Sequence, residues 1–142
     1  MFFLDWLNAA PEKYYKKTNF DMVQRASSNP NEYILINTLP MNEQNCLIVG
    51  TMDVFTEETQ INDMMSNLHI PDKKIIIYGK NANDDSVYKK YKQMHNLGIS
   101  SIFIYTGGLF EWMLLQDIYG MNAFPTTMKV IDILKYQSST DM

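Results

Sequence analysis

The sequence predicts a single α/β domain with a central, mostly parallel β-sheet and helices on both faces. Three observations lead there. Short apolar runs bounded by turn residues alternate with stretches of helical period. The 142 residues suffice for one domain with a real core and are too few for two of ordinary size. A composition of 46% hydrophobic and 20% charged residues is that of a folded chain rather than a disordered one.

The elements can be justified in order. "TNFDMVQRASSNPNE" offers Thr18 or Asn19 as an N-cap and a short helix around Phe20 to Ser27, ended by Ser28, Asn29 and Pro30. "YILIN", Tyr33 to Asn37, is a continuous apolar run between turn residues, as a buried parallel strand requires. "CLIVGT" reads as a second such run ending at Gly50. "TEETQINDMMSNL" starts a helix at Thr56, with Glu57 and Glu58 where the helix dipole favours acids, and with Ile61, Met64, Met65 and Leu68 as its core stripe. "KIIIYG" is a strand. "DDSVYKKYKQMHNLG" is a helix burying Val87, Tyr91, Met94 and Leu97, turning Lys89, Lys90 and Lys92 outward and stopping at Gly98. "SIFIYT" and "GGLFEWMLLQDIYG" repeat the strand and helix, and "NAFPTTMKVIDILKY" closes the domain. The division expected is an N-terminal segment over 1–13, the domain over 14–136 and a frayed tail over 137–142.

Charge and cysteine content narrow the function classes. A formal net charge of -4 argues against a nucleic-acid partner, since no basic footprint is present. The lone Cys46 excludes an internal disulfide and fits a reducing, cytoplasmic setting. "MFFLDWLNAA" lacks the basic start of a signal peptide, and Asp5 interrupts its apolar run. No later stretch approaches the roughly 20 apolar residues of a membrane span.

Two segments offer surfaces. In "LFEWMLLQDI" the polar members Glu111, Gln116 and Asp117 fall roughly 100–140° apart around the axis, so apolar side chains project on every side. Either "FPTTMKVIDIL" covers this helix, the reading preferred here, or it offers a contact surface, with Phe110 and Trp112 as anchors. In "MFFLDWL", Phe2 or Phe3 with Trp6 and Leu7 forms a short amphipathic face, which either packs on the domain or docks into a partner. A basic face suited to a membrane surface is absent from it.

With these elements in place, the chain resembles the rhodanese-like domains over roughly Tyr14 to Thr127. "YILINTLP" sits at the family's first apolar strand and the turn after it. "CLIVGT" matches a segment ending in a Pro-Gly-Ala type turn, with Gly50 as its glycine. "IIIYGKNANDDS" occupies the strand and active-site loop, and "IYTGGLFEW" resembles the Gly-Gly pair and tryptophan helix, here Gly107, Gly108 and Trp112. The string "GGLFEWMLLQDIYG…FPTT" is similar to rhodanese-like proteins of large DNA viruses and some protists, which would place the chain in a host cytoplasm or a virion.

The resemblance implies an active-site cysteine at the end of the third strand, where Gly79 stands. It implies an arginine closing the loop, where Asp84 and Asp85 stand, and an acidic residue and an arginine in the earlier turn, where Asn37 and Leu39 stand. A persulfide needs a low-pKa thiolate near a helix N-terminus and positive charge. Without sulfur the loop has no nucleophile, and Asp84, Asp85 or Ser86 can cap the helix N–H groups that would hold an anion. The expectation is a catalytically inactive module, not an enzyme, that binds another protein or itself and needs no cofactor.

Other candidates stay open at this level. Lys80 with Asn81 and Asn83 offers a small-anion or metabolite site in the degenerate loop Gly79 to Ser86, against the plainer reading of a polar turn. Cys46 as a sulfur carrier stands against its reading as a small buried hydrophobe. His69 and His95 show no zinc-ligand spacing with Cys46, so no metal site is expected.

Overall fold

The computed structural model describes residues 15–67 and 72–139. Its elements are β1 (Lys17–Thr18), α1 (Phe20–Ser28), β2 (Tyr33–Asn37), α2 (Val54–Asn67), β3 (Lys74–Tyr78), α3 (Ser86–Asn96), β4 (Ile102–Tyr105) and α4 (Gly108–Tyr119), with 3-10 turns at Met41–Glu43 and Ile133–Tyr136. The sheet order is β1-β4-β3-β2, and every pairing is parallel.

Isoleucines build the sheet because β-branched side chains suit a pleated surface buried on both faces. The register aligns Ile34 with Ile75 and Ile36 with Ile77, then Ile75 with Ile102 and Ile77 with Ile104. These six face α2 and α3, packing with Ile61, Met64, Val87, Tyr91 and Met94. Their neighbours in the chain (Tyr33, Leu35, Ile76, Tyr78 and Tyr105) face the other way, onto Val23 of α1 and Leu109, Trp112 and Met113 of α4. Helices thus cover both faces.

α1 has its expected start: the Asn19 side chain accepts from Asp21 N at 3.1 Å. α2 begins at Val54 rather than Thr56, because Asp53 Oδ2 accepts from the amides of Phe55 (3.0 Å) and Thr56 (3.3 Å). Its stripe is also narrower than expected. Ile61 and Met64 are buried, Met65 is 60% exposed, and Leu68 lies outside the described residues. Glu57 is buried in their place.

"CLIVGT" is not a strand. Cys46, Leu47 and Ile48 are buried as a strand's residues would be, but their backbone looks elsewhere. Ile48 N donates to the Tyr78 hydroxyl (3.1 Å), Val49 N to Pro125 O (3.1 Å) and Leu47 N to Thr127 Oγ1 (3.0 Å). Its only β-type pairings are two isolated bridges, Leu35 to Thr51 and Ile48 to Thr126. Gly50 ends the run at φ 95°, with its α-carbon so close to α1 that a Cβ would lie 2.9 Å from Ser27 O. That position requires glycine. β1 was not expected from the sequence, because two polar residues leave no pattern to read.

Among the described residues no helix is long and apolar enough to cross a membrane. The tail expected over 137–142 is described only to residue 139.

Candidate functional site

The carboxyl ends of parallel strands are where α/β proteins present chemistry, because helix N-termini and loops converge there. Here the loop from Gly79 to Asp85 joins β3 to α3 and lies against the first turn of α4.

Asp84 organises the loop. Its Oδ2 accepts from Lys80 N at 2.8 Å, and its Oδ1 accepts from Ser86 N at 3.0 Å and Ser86 Oγ at 2.6 Å. Of the three capping candidates, Asp84 does the work; the Asp85 side chain makes no capping bond. Thr38 Oγ1 lies 2.7 Å from Ser86 Oγ, so a chain of hydroxyls from β2 to the loop ends on the Asp84 carboxylate. Asn81 braces the outer side: its Oδ1 accepts from Asn83 N (3.0 Å), and its Nδ2 donates to Tyr136 O (2.9 Å).

The same carboxylate fills the space above Gly79. A Cβ there would come within 2.5 Å of Asp84 Oδ2 and 3.0 Å of Val87 Cγ1. The glycine is thus retained by a side chain and not by its backbone conformation. The second helix N-terminus at this end is closed as well: Leu109 N donates to Gly79 O and Phe110 N to Lys80 O, both at 2.9 Å. That approach is so close that Gly108, at φ 67°, could not carry a Cβ, which would lie 2.9 Å from both Gly79 O and Asn81 N. Amides that would otherwise hold an anion already have acceptors from the chain itself.

Lys80, the loop's cation, turns away and pairs with Glu43 at 3.2 Å. In the earlier turn Asn37 and Gln44 clasp each other through both amide groups, at 3.0 and 2.8 Å, while Asn37 Oδ1 also accepts from Leu39 N. Beside the loop, between α2 and α3, lies a cavity of about 450 Å³ lined by Thr38, Leu39, Val54, Ser86, Lys89 and Gln93 among others. At its margin Lys90 pairs with the buried Glu57 at 2.6 Å. Lys90 is therefore not one of three solvated lysines, although Lys89 and Lys92 are exposed.

The remaining candidates resolve as follows. Cys46 is buried, and its Sγ lies 3.4 Å from Met128 O. His95 is exposed on the last turn of α3, and His69 lies outside the described residues. Among the described residues no group of three or more His, Cys, Asp or Glu could hold a metal ion. Trp112, the anchor candidate of the alternative reading, is fully buried: its indole N–H donates to Pro125 O at 3.1 Å and its ring packs edge-on against Phe124. Phe110 is half-buried against the core. Phe3 and Trp6 lie outside the described residues. The C-terminal segment does cover the inner side of α4, with Gln116 Nε2 donating to Phe124 O and Thr126 Oγ1.

Three tyrosines beneath this end have hydroxyls pushed above the ordinary range, chiefly by burial. For Tyr78 the bonds to Thr51 and Ile48 partly offset that effect. For Tyr105 the Glu111 carboxylate, 2.7 Å away, adds to it, and for Tyr136 proximity to Cys46 does. All three are structural struts, not acids poised near neutral pH.

The fold has known counterparts. The chain is similar to a protein from Bacillus halodurans (TM-score 0.56, 16% identity, 82% of each chain covered). It is similar to the rhodanese-like domain of an Anabaena protein (TM-score 0.53, 17% identity, 89% of this chain and 88% of that one). A third counterpart is a protein from Lactobacillus plantarum (TM-score 0.50, 14% identity, 78% and 90% covered). The architecture is a rhodanese-like fold. No family model and no curated protein matches the chain.

Proposed function

We propose that this chain is a rhodanese-fold module without sulfurtransferase activity that acts by binding another protein. The observation that carries the reading is the Asp84 carboxylate, which stands where a side chain on Gly79 would have to go and takes up the loop amides that an anionic substrate would need. A carboxylate there also opposes a thiolate or a thiosulfate by about 1 kcal/mol per close pair even in water. Cys46 is buried with its Sγ against Met128 O, the setting of a small buried hydrophobe rather than of a reactive thiolate. The positive half of the reading rests on the outer side of α4, which is apolar and exposed at Leu114, Ile118 and Tyr119. The small-anion reading of the loop gains no support from this geometry, because Lys80 and both helix N-termini are engaged.

Amide chemical shifts of labelled protein titrated with thiosulfate, sulfate and phosphate test the closed loop. The expected result is flat Gly79 to Ser86 amides up to high millimolar anion. Saturable shifts confined to that loop would return the site to small-molecule binding. Thiosulfate sulfurtransferase turnover that survives Cys46→Ala would end the inactive reading altogether.

A further inference from the structure

We propose that the cavity between α2 and α3 is a binding site separate from the closed loop, and that it takes a small zwitterion carrying an amino group and a carboxylate, such as a free aliphatic α-amino acid. Two helix stripes face each other there. Val54, Glu57 and Glu58 share one side of α2, at i, i+3 and i+4, and Lys89 and Gln93, four apart, share one side of α3. The cavity measures about 450 Å³, within the roughly 300–1,000 Å³ of small-molecule sites.

Glu57 sets this cavity apart. The residue is only 6% exposed, and a carboxylate so deeply buried is costly unless its oxygens find donors. Oε2 has one, Lys90 Nζ at 2.6 Å. Oε1 accepts no hydrogen bond among the described residues. Yet none of their fully buried side-chain oxygens lacks a partner, so Oε1 is still reachable from outside, and Glu57 lines the cavity. A donor supplied by a ligand would satisfy it.

The other open groups divide by helix. α2 adds the exposed Glu58 carboxylate, whereas α3 supplies the exposed Lys89 ammonium and the Gln93 amide. None of these three side chains enters an ion pair or a hydrogen bond among the described residues. One wall therefore accepts and the other donates, and with Lys90 the lining holds two acids against two lysines. A simple anion meets repulsion from the acids, and a simple cation meets it from the lysines. A molecule with both charges satisfies both walls: its ammonium donates to Glu57 Oε1, and its carboxylate accepts from Lys89 and Gln93. Leu39 and Val54 add an apolar surface for a short aliphatic side chain. None of these contacts draws on the loop amides that Asp84 holds.

Amide chemical shifts of the labelled full chain titrated with valine test the site, with acetate and methylammonium as single-charge controls. The expected result is saturable shifts on both walls, at Val54 to Glu58 and at Lys89 to Gln93, with each control binding at least about tenfold more weakly. Lys89→Ala should weaken valine binding by about tenfold. Glu57→Gln, which keeps the side-chain shape but removes the charge that meets the ammonium, should weaken it by at least as much. Lys89 is exposed and unpaired among the described residues, so its variant keeps the test intact if the Glu57 variant folds poorly. Acetate binding as tightly as valine would make this a plain anion site at Lys89 and overturn the proposal. Flat amides on both walls up to high millimolar valine would overturn it too, as would valine binding that Lys89→Ala leaves unchanged.

Discussion

The loop after β3 and the outer ridge of α4 are neighbours in the fold and opposites in chemistry. The loop stands where parallel α/β sheets present reactive groups, yet its amides, its carboxylate and its lysine are consumed by partners within the chain. The ridge starts one turn further on and exposes a run of large apolar side chains. A surface that could bind polar substrate is satisfied internally, and a surface that is mainly apolar, with Asp117 beside Leu114 and Ile118, is left open. The proposed reading of the chain as a binding module rests on this difference.

The comparison breaks first if α4 is not held by its inner side. Trp112→Ala removes the largest fully buried side chain and one of the two donors to Pro125 O, and it should cost about 3–5 kcal/mol in chemical denaturation. A cost near zero would mean that α4 is loosely attached and that its two sides do not differ as described.

Asp84→Ala should come next, at about 2 kcal/mol, because Lys80 N, Ser86 N and Ser86 Oγ lose a charged acceptor together. Gly79→Ala sharpens the point as half of a double-mutant cycle. In the unaltered chain the new methyl collides with the carboxylate, at a cost of about 1–3 kcal/mol. In the Asp84→Ala background most of that cost should vanish, leaving only the Val87 contact. Additive costs would show that the carboxylate does not occupy the space above Gly79. By the same reasoning Gly79→Cys alone should give no sulfurtransferase activity.

High pH probes the closed end from beneath. The folded state holds the Tyr78 proton more tightly than the unfolded chain does, so its contribution is complete below the ordinary tyrosine value of 10.0 and is lost as pH rises above it. Each such tyrosine should lower stability by about 1.4 kcal/mol per pH unit in that range. Tyr78→Phe should flatten the alkaline slope while costing stability at neutral pH, where it leaves Ile48 N without an acceptor. An unchanged alkaline slope in that variant would mean that Tyr78 titrates normally.

The sheet and its three long helices were legible because period and punctuation agree there: continuous isoleucine runs, the Val87, Tyr91, Met94 spacing, and glycines at the breaks. β1 and the non-strand character of "CLIVGT" were not, since both depend on which distant backbone groups are available to pair, such as Pro125 and Thr127 with the latter. At the loop, the missing nucleophile and the capping role of an acid could be read from residue types. The closing of α4 by the Gly79 and Lys80 carbonyls, and the pairing of Lys90 with Glu57, 33 positions away, could not. Trp112 shows the limit plainly: an all-round apolar helix leaves open which side faces in, and the indole took the core.

The smallest effect expected on stability is the one that defines the ridge. Ile118 is 70% exposed, so Ile118→Asp removes little buried area and should leave the unfolding free energy within about 0.5 kcal/mol of the unaltered chain. Leu114→Asp, at 42% exposure, should repeat the pattern with a somewhat larger loss. If both variants cost as much as Trp112→Ala, the ridge is part of the core in solution. The division between a closed loop and an open surface would then have to be redrawn around whatever covers it.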